Sequence, residues 1–303
     1  MHHSILIADP IDKEAQQMLE AAGFEVSAPG EPTPEEIVKL IPDVEVLVVR
    51  SRTKVTKEMI DAGKKLKVIA RAGVGVDTID TVAAEQRGIK VINAPGSNSR
   101  SVAEHAIGLM FAVARTIPQA DSSMKAGKWE KKLFKGTELE GKTLGVLGYG
   151  RVGKSVAQIA HALGMEVLAW TRTSRTDPQI QFTVALEEVL RRADIITIHL
   201  PKSEETAHLI STRELEHMKE GVFIINTARG GIVDEEALLH ALQSGKVRGA
   251  GLDVFENEPA PSQALIAHSR VVATPHIAAL THEAQERAGI MIAEQLIEWS
   301  SAK

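Results

Sequence analysis

Short apolar, β-branched runs recur along this chain, and each is separated from the next by a stretch whose apolar residues follow helical spacing. ILIA, FEVSA, VEVLVV, LKVIA and IKVIN come first; KTLGVLG, EVLAW, DIITIHL, GVFIINTA, GAGLDV and RVVATPH follow. Runs this short, without polar alternation, are strands buried on both faces. A helix between consecutive runs carries the chain back to the start of the next strand. The pattern therefore demands parallel sheets covered by helices on both sides.

The fold class expected is α/β, with two Rossmann-like or flavodoxin-like domains, because 303 residues exceed one ordinary domain. The two strand series are divided by one long helical pattern from Ser99 to about Met124, in which Pro118 predicts a kink or break. The last segment, HEAQERAGIMIAEQLIEW, is amphipathic and follows no new strand. The reading is a substrate domain of residues 1–97 completed by 279–303, with a dinucleotide domain of 98–278 inserted into it. Hinges are expected near Pro95 to Asn98 and Ala278 to Thr281, with the ligand in the cleft they span.

Composition narrows the function classes. A formal charge of −5 speaks against general nucleic-acid binding, and no stretch reaches the roughly 20 apolar residues of a membrane helix. The start, MHHSILIADP, lacks the order of a secretory signal, so a cytoplasmic protein without nucleic-acid or membrane partners is expected. Zero cysteines exclude disulfides and thiolate chemistry. No metal site is expected, and His2 and His3, at a mobile terminus, are given no role.

LGVLGYGRVGKSVAQIAHALG places Gly148, Gly150 and Gly153 directly after one strand and at the start of a helix. The first glycine permits the tight turn, the second admits a pyrophosphate, and the third lets helix and strand pack closely; N–H groups near Arg151 and Val152 would hold the phosphates. The next strand leads into VLAWTRTSR, where such folds usually place an acid against the ribose hydroxyls. Thr171 stands there instead, followed by Arg172 and Arg175. Losing the acid removes repulsion against a 2′-phosphate, and guanidinium groups can bond to one. The cofactor is NAD or NADP, with NADP preferred.

Three later segments carry polar residues just beyond strand ends, where ligands sit in open α/β sheets. NTARGGIVDEEAL holds Arg229, GLDVFENEP holds Glu258 and ATPHIAAL holds His276. In the first series, Arg50, Ser51, Arg52 and Arg71 also lie at or after strand ends, and Gly73, Val74 and Gly75 form a loop whose N–H groups could hold a carboxylate.

With VVRSRTKVT, IARAGVGVDTID, INAPGSNSRSVAEHAIGL, GKTLGVLGYGRVG, NTARGGIVDEEALLHALQSG, GLDVFENEP and TPHIAA all in order, nearly the whole chain resembles the D-2-hydroxyacid dehydrogenase family, its phosphoglycerate-oxidising members most closely. The resemblance implies that Arg229, Glu258 and His276 are catalytic. The histidine exchanges the hydroxyl proton, the glutamate fixes its tautomer and favours the imidazolium, and the arginine clamps the substrate carboxylate and carbonyl. It further implies that Asp253 bonds the nicotinamide carboxamide. Val74, His199, Leu200, Pro201, Thr227, Ala228 and Ala278 would line the cofactor. Arg50 and Arg71 would contact a substrate phosphate beside Ser51, Gly73, Val74 and Gly75, with Lys131 or Lys132 supplied by a partner subunit.

Those implications lead to oxidation of D-3-phosphoglycerate to 3-phosphohydroxypyruvate, the entry to serine synthesis. The alternative is an NADPH-dependent glyoxylate or hydroxypyruvate reductase; a non-enzymatic dinucleotide-sensing co-repressor ranks third. A homodimer or dimer of dimers is expected, with Trp129, Leu133 and Phe134 as apolar contacts. Longer relatives carry a serine-binding domain beyond the position of Lys303, so the sequence is read either as the short form or as a shortened piece of a longer chain, and serine feedback is not expected.

Overall fold

The computed structural model describes residues 3–301; His2 and the outermost residues of the expected substrate domain lie outside them. The chain divides into two compact units, Met1–Asn98 with Leu280–Lys303, and Ser99–Ala279.

The first unit carries β1 (Ser4–Ile7), α1 (Lys13–Ala21), β2 (Glu25–Ser27), α2 (Pro34–Leu40), β3 (Val46–Val49), α3 (Lys57–Ala62), β4 (Val68–Arg71), α4 (Thr81–Gln86) and β5 (Lys90–Asn93). All strand pairs are parallel, in the order β2-β1-β3-β4-β5. This is the flavodoxin-like order, in which the direction of winding reverses between β1 and β3. Alternate strand residues fill opposite cores: Ile5, Ile7, Val46 and Val48 face one side, Leu6, Leu47 and Val49 the other. Local chemistry starts the helices, with Thr33 and Glu36 forming a capping box on α2 and Asp80 capping α4.

In the second unit, α5 (Ser99–Ala114) and α6 (Ile117–Lys125) precede β6 (Thr143–Leu147), α7 (Arg151–Ala162), β7 (Glu166–Trp170) and β8 (Gln181–Thr183). Then come α8 (Leu186–Arg192), β9 (Ile195–Ile198), α9 (Thr212–His217), β10 (Val222–Asn226), α10 (Glu235–Ser244), β11 (Val247–Leu252), α11 (Gln263–Ile266) and β12 (Val271–Ala273). The strand order is β12-β11-β10-β9-β6-β7-β8, again all parallel. Winding reverses between β6 and β9, as in a Rossmann sheet. Both expected sheet types are therefore present. The long helical pattern breaks at Thr116, whose φ is 50°, and Pro118 sits in the first turn of α6, where its missing N–H costs nothing.

Glycines on β11 let α5 come close: a Cβ on Gly249 would lie 2.5 Å from Val113 and one on Gly251 3.0 Å from Leu109. The chain then returns to the first unit with α12 (His282–Ser301), whose Ala288, Ile292 and Leu296 are buried in the same core as α1. Each fully buried aliphatic side chain of this kind contributes about 1.5 to 3 kcal/mol. His3 is not loose, as expected of a mobile terminus. It is buried, with Nδ1 2.5 Å from Glu45 and its ring 4.9 Å from that of Trp299, because β1 begins at the next residue and fixes the terminus in the sheet.

Candidate active site

At the C-terminal edge of the second sheet, the turn after β6 is built as its glycines require. Gly148 has φ 96°, and a Cβ there would meet the His199 carbonyl at 2.6 Å, so the turns after β6 and β9 touch across the switch point. A Cβ on Gly153 would lie 2.0 Å from the Gly148 carbonyl oxygen, whereas one on Gly150 would enter open space. Gly150 begins α7 with no side chain capping it, so the first-turn N–H groups of Arg151 and Val152 face that space. The turn fits a pyrophosphate.

Beside it, His199 accepts or donates through Nε2 to the Thr197 hydroxyl at 2.9 Å, and burial pushes its imidazole down to about 3. It is neutral at any working pH. The Thr227 hydroxyl, at the end of the adjacent strand, is buried as well. The segment after β7 is less open than its sequence implied. The Thr171 hydroxyl donates to the Thr173 carbonyl at 2.7 Å, capping its own turn, so its one proton is already engaged. Arg172 pairs with Glu205 at 3.2 Å on the surface, while Arg175 is exposed. Tyr149 holds the far side of the segment through Asp177 at 3.3 Å; burial first, and then the Asp177 charge, push its phenol up.

The three catalytic candidates are linked through one short chain of contacts. Asn226, ending β10, accepts from the Ala228 N–H at 3.1 Å and donates to the Arg229 carbonyl at 3.0 Å, which shapes the turn carrying Arg229. Gly230 lies directly against Phe255: a Cβ would fall 1.7 Å from its carbonyl oxygen. The Phe255 N–H donates to Oε1 of Glu258 at 3.0 Å, and Oε2 of Glu258 meets Nδ1 of His276 at 2.7 Å. This leaves Nε2 of His276, whose side chain is 49% exposed, to face a reactant.

His276 sits at φ 55°, a left-handed conformation unusual for a residue with a side chain. Asp253 holds it there. Its backbone carbonyl accepts from the His276 N–H at 2.8 Å, and its carboxylate accepts the Ile277 and Ala278 N–H groups at 2.9 and 2.8 Å and the Thr274 hydroxyl at 2.6 Å. Burial would raise this carboxyl, but the donors from His105, Thr274, Ile277 and Ala278 outweigh it and hold it below the usual carboxylate range. Sequence reasoning expected a carboxamide contact here and missed the loop-holding role; an acid at a strand end was the available signal.

In the first unit, Asp9, just past β1, is the residue that sequence reasoning overlooked. Its buried carboxylate accepts the N–H groups of Arg50 and Thr53 at 2.6 and 3.1 Å and the Thr53 hydroxyl at 2.6 Å, and Arg52 reaches it at 3.0 Å. Arg52 is thereby a structural cation, while Arg50 extends to the Pro10 carbonyl at 3.2 Å and Ser51 is exposed. Arg71 folds over its own loop, with Nη1 3.1 Å from the Ala72 carbonyl, in space that a side chain at Gly73 would fill. Asn93 secures the loop by donating to the Val74 carbonyl at 2.6 Å, and Gly75 is half-buried within it. Lys131 and Lys132 lie in an exposed 3-10 turn. Leu200 is half-buried beside Gly148, and Pro201 is exposed.

The glycine turn after β6 at the switch point of the second sheet points to a dinucleotide-dependent class, and comparison with known proteins gives the family. Residues 107–278 match the model of the D-isomer specific 2-hydroxyacid dehydrogenase, NAD binding domain. The chain belongs to the D-2-hydroxyacid dehydrogenase family. It is 51% identical over 297 residues to a D-3-phosphoglycerate dehydrogenase of Archaeoglobus fulgidus, covering 97% of this chain and 56% of that one. It is 48% identical to a hydroxypyruvate reductase of Thermotoga maritima, covering 98% of both. A crystal structure of a Thermus thermophilus protein superposes with a TM-score of 0.91 at 36% identity, covering 99% of this chain and 97% of that one. The chain thus spans about half the length of some relatives and nearly all of others.

Proposed function

We propose that the protein is a nicotinamide-dependent D-2-hydroxyacid dehydrogenase acting on D-3-phosphoglycerate. The observation carrying the activity is the His276–Glu258 contact, held beside the Arg229 turn at the edge of the nucleotide sheet. In the oxidising direction, Nε2 of His276 takes the C2 hydroxyl proton as the C2–H bond breaks, and Glu258 stabilises the imidazolium so formed. Arg229 holds the substrate carboxylate and polarises the forming carbonyl. The nicotinamide, when bound, accepts the hydride from C2 or returns it. The turn of Gly148, Gly150 and Gly153, with the N–H groups of Arg151 and Val152, would hold the pyrophosphate, and His199, Leu200, Pro201, Thr227, Ala228 and Ala278 would line the remainder. Asp253 contributes the carboxamide contact in addition to holding its loop.

The substrate reading rests on Arg50 and Arg71, with Ser51 and the loop of Gly73, Val74 and Gly75, as a charged pocket. A guanidinium contact to phosphate of this kind is worth about 1.5 to 3 kcal/mol, or one to two decades of discrimination. The relative named D-3-phosphoglycerate dehydrogenase supports it. The relative named hydroxypyruvate reductase supports a second reading, reduction of glyoxylate or hydroxypyruvate, which agrees with the missing acid at Thr171. For the cofactor we propose an NADP preference resting on Arg172 and Arg175.

A homodimer is proposed from surface chemistry. No residue of α6 is buried, Ile117 and Met124 on it are exposed, and Trp129 and Leu133 in the segment that follows are 78% and 71% exposed, a run of apolar side chains that a partner would cover. Lys131 and Lys132 lie within it and would be offered to the partner. Light scattering gives the oligomeric state, and a monomer at micromolar concentration would refute this. Steady-state kinetics of phosphoglycerate, phosphohydroxypyruvate, glyoxylate and hydroxypyruvate with both cofactors tests the rest. Equal efficiency on glyoxylate and phosphohydroxypyruvate removes the phosphate reading, and no turnover of any of the four removes the enzymatic one.

A further inference from the structure

We propose that His105 on α5 is a positioning residue for His276, acting through Thr274 and Asp253; the proposal rests on His276 being the acid/base. Nε2 of His105 lies 3.0 Å from the Thr274 hydroxyl and 3.5 Å from Oδ1 of Asp253. Proton counting fixes the direction of these bonds. Asp253 already draws the single Thr274 hydroxyl proton at 2.6 Å, so that oxygen has only lone pairs to offer, and Nε2 of His105 must carry a proton and donate. The imidazole therefore completes a bridge from α5 through the end of β12 to the end of β11.

The bridge bears on one place. Asp253 and Thr274 together accept or anchor the N–H groups of residues 276, 277 and 278, and this is what keeps His276 at its left-handed φ of 55°. His105 reaches them because α5 lies close: His105, Leu109 and Val113 follow one another at four-residue spacing, and the last two pack where Gly251 and Gly249 leave room. Without the His105 donor, the Thr274 hydroxyl oxygen loses the partner opposite Asp253, and the carboxylate holding the catalytic loop loses the imidazole N–H that lies 3.5 Å from its Oδ1.

The test compares His105→Ala, His105→Gln and His105→Glu in the full chain, with Thr274→Val breaking the same bridge from its other end. Two readouts are used: kcat against KM for the ketoacid, and hydrogen exchange at the amides of Ile277 and Ala278. The alanine and glutamate variants are expected to lose about tenfold or more in kcat, since roughly 1 Å of misplacement costs on the order of a hundredfold, while KM changes little. Exchange at both amides should accelerate. Glutamine, which restores an N–H donor, should recover most of kcat and the exchange protection. His105→Ala and Thr274→Val should be non-additive. Wild-type kcat and unchanged exchange in His105→Ala would overturn the proposal, as would failure of glutamine to recover either quantity. His276→Ala is run in parallel. If it keeps turnover, the acid/base reading fails, and the exchange data still report whether His105 holds the loop. If it is inactive while His105→Ala is unaffected, only the present proposal fails.

Discussion

His276 and Glu258 are joined by a 2.7 Å contact from Nδ1 to Oε2, while the other carboxylate oxygen is fixed by the Phe255 N–H at 3.0 Å. Both oxygens are thus spoken for, one by the backbone and one by the imidazole. The glutamate cannot swing away without losing a bond, and of the imidazole nitrogens only Nε2 lies outside this contact.

Glu258→Gln keeps one oxygen, enough for either the Phe255 N–H or the imidazole, turns the other position into an amide donor and removes the charge that favours the imidazolium. Reduction of a ketoacid needs the protonated imidazole and oxidation needs the neutral one, so the two directions should respond differently. Reduction is expected to slow by about tenfold, equivalent to about 1.4 kcal/mol, with a smaller effect on oxidation. Rate profiles measured in both directions check this. An unchanged reductive rate would mean that the pair is structural.

On the proposed NADP reading, cofactor choice would depend on competition between Glu205 and phosphate for Arg172. The Arg172–Glu205 pair is 3.2 Å long and almost fully exposed on both sides, so it is worth at most about 1 kcal/mol. Glu205→Gln should therefore raise the NADP-to-NAD ratio of kcat/KM by only a few fold, whereas Arg172→Ala with Arg175→Ala should lower it by more. If the double variant leaves the ratio unchanged, the 2′-phosphate reading of this segment fails.

Local pattern revealed the sheets, the turn at Gly148 and the strand ends bearing Arg229, Glu258 and His276, because strand and helix spacing are short-range properties of the chain. The partners that orient these residues were not legible. His105 and Thr274 are separated by 169 residues and Asp9 and Thr53 by 44, and nothing in local periodicity connects such positions. Thr171 shows the same limit from the other side. Its place after β7 was readable, but the direction of its hydroxyl depends on the turn it caps.

Glu235 offers a prediction about stability and pH. Burial raises its carboxyl, the Glu256 N–H opposes this, and the charges of Glu256 and Glu258 raise it further, leaving it above the ordinary carboxylate range. A raised folded-state value means that the carboxyl favours folding when neutral, and this contribution is lost as pH rises through that value. Above that value the native side chain is ionised and carries the penalty. Glu235→Gln retains the oxygen that accepts the Glu256 N–H at 2.7 Å and should raise the unfolding midpoint by roughly one to two degrees there. The gain should shrink to nothing near pH 4. A gain independent of pH would point to packing instead of charge.

Gly230 gives the sharpest steric test of how the site is assembled. The turn bearing Arg229 and the loop bearing Glu258 meet where a Cβ would lie 1.7 Å from the Phe255 carbonyl oxygen and 2.0 Å from its carbon, and neither backbone atom can rotate aside. Gly230→Ala must therefore push the two segments apart by more than an ångström. Overpacking of this kind costs about 1 to 3 kcal/mol, and more where backbone must move. The same shift separates Arg229 from the Glu258–His276 pair, so kcat should fall by on the order of a hundredfold even at temperatures where the variant is fully folded. Dinucleotide affinity, which the proposed reading assigns largely to the turn after β6, should change far less. Thermal unfolding, single-turnover rates and cofactor titration on the one variant separate these effects. Full turnover with an unaltered midpoint would show that the two segments do not depend on their contact.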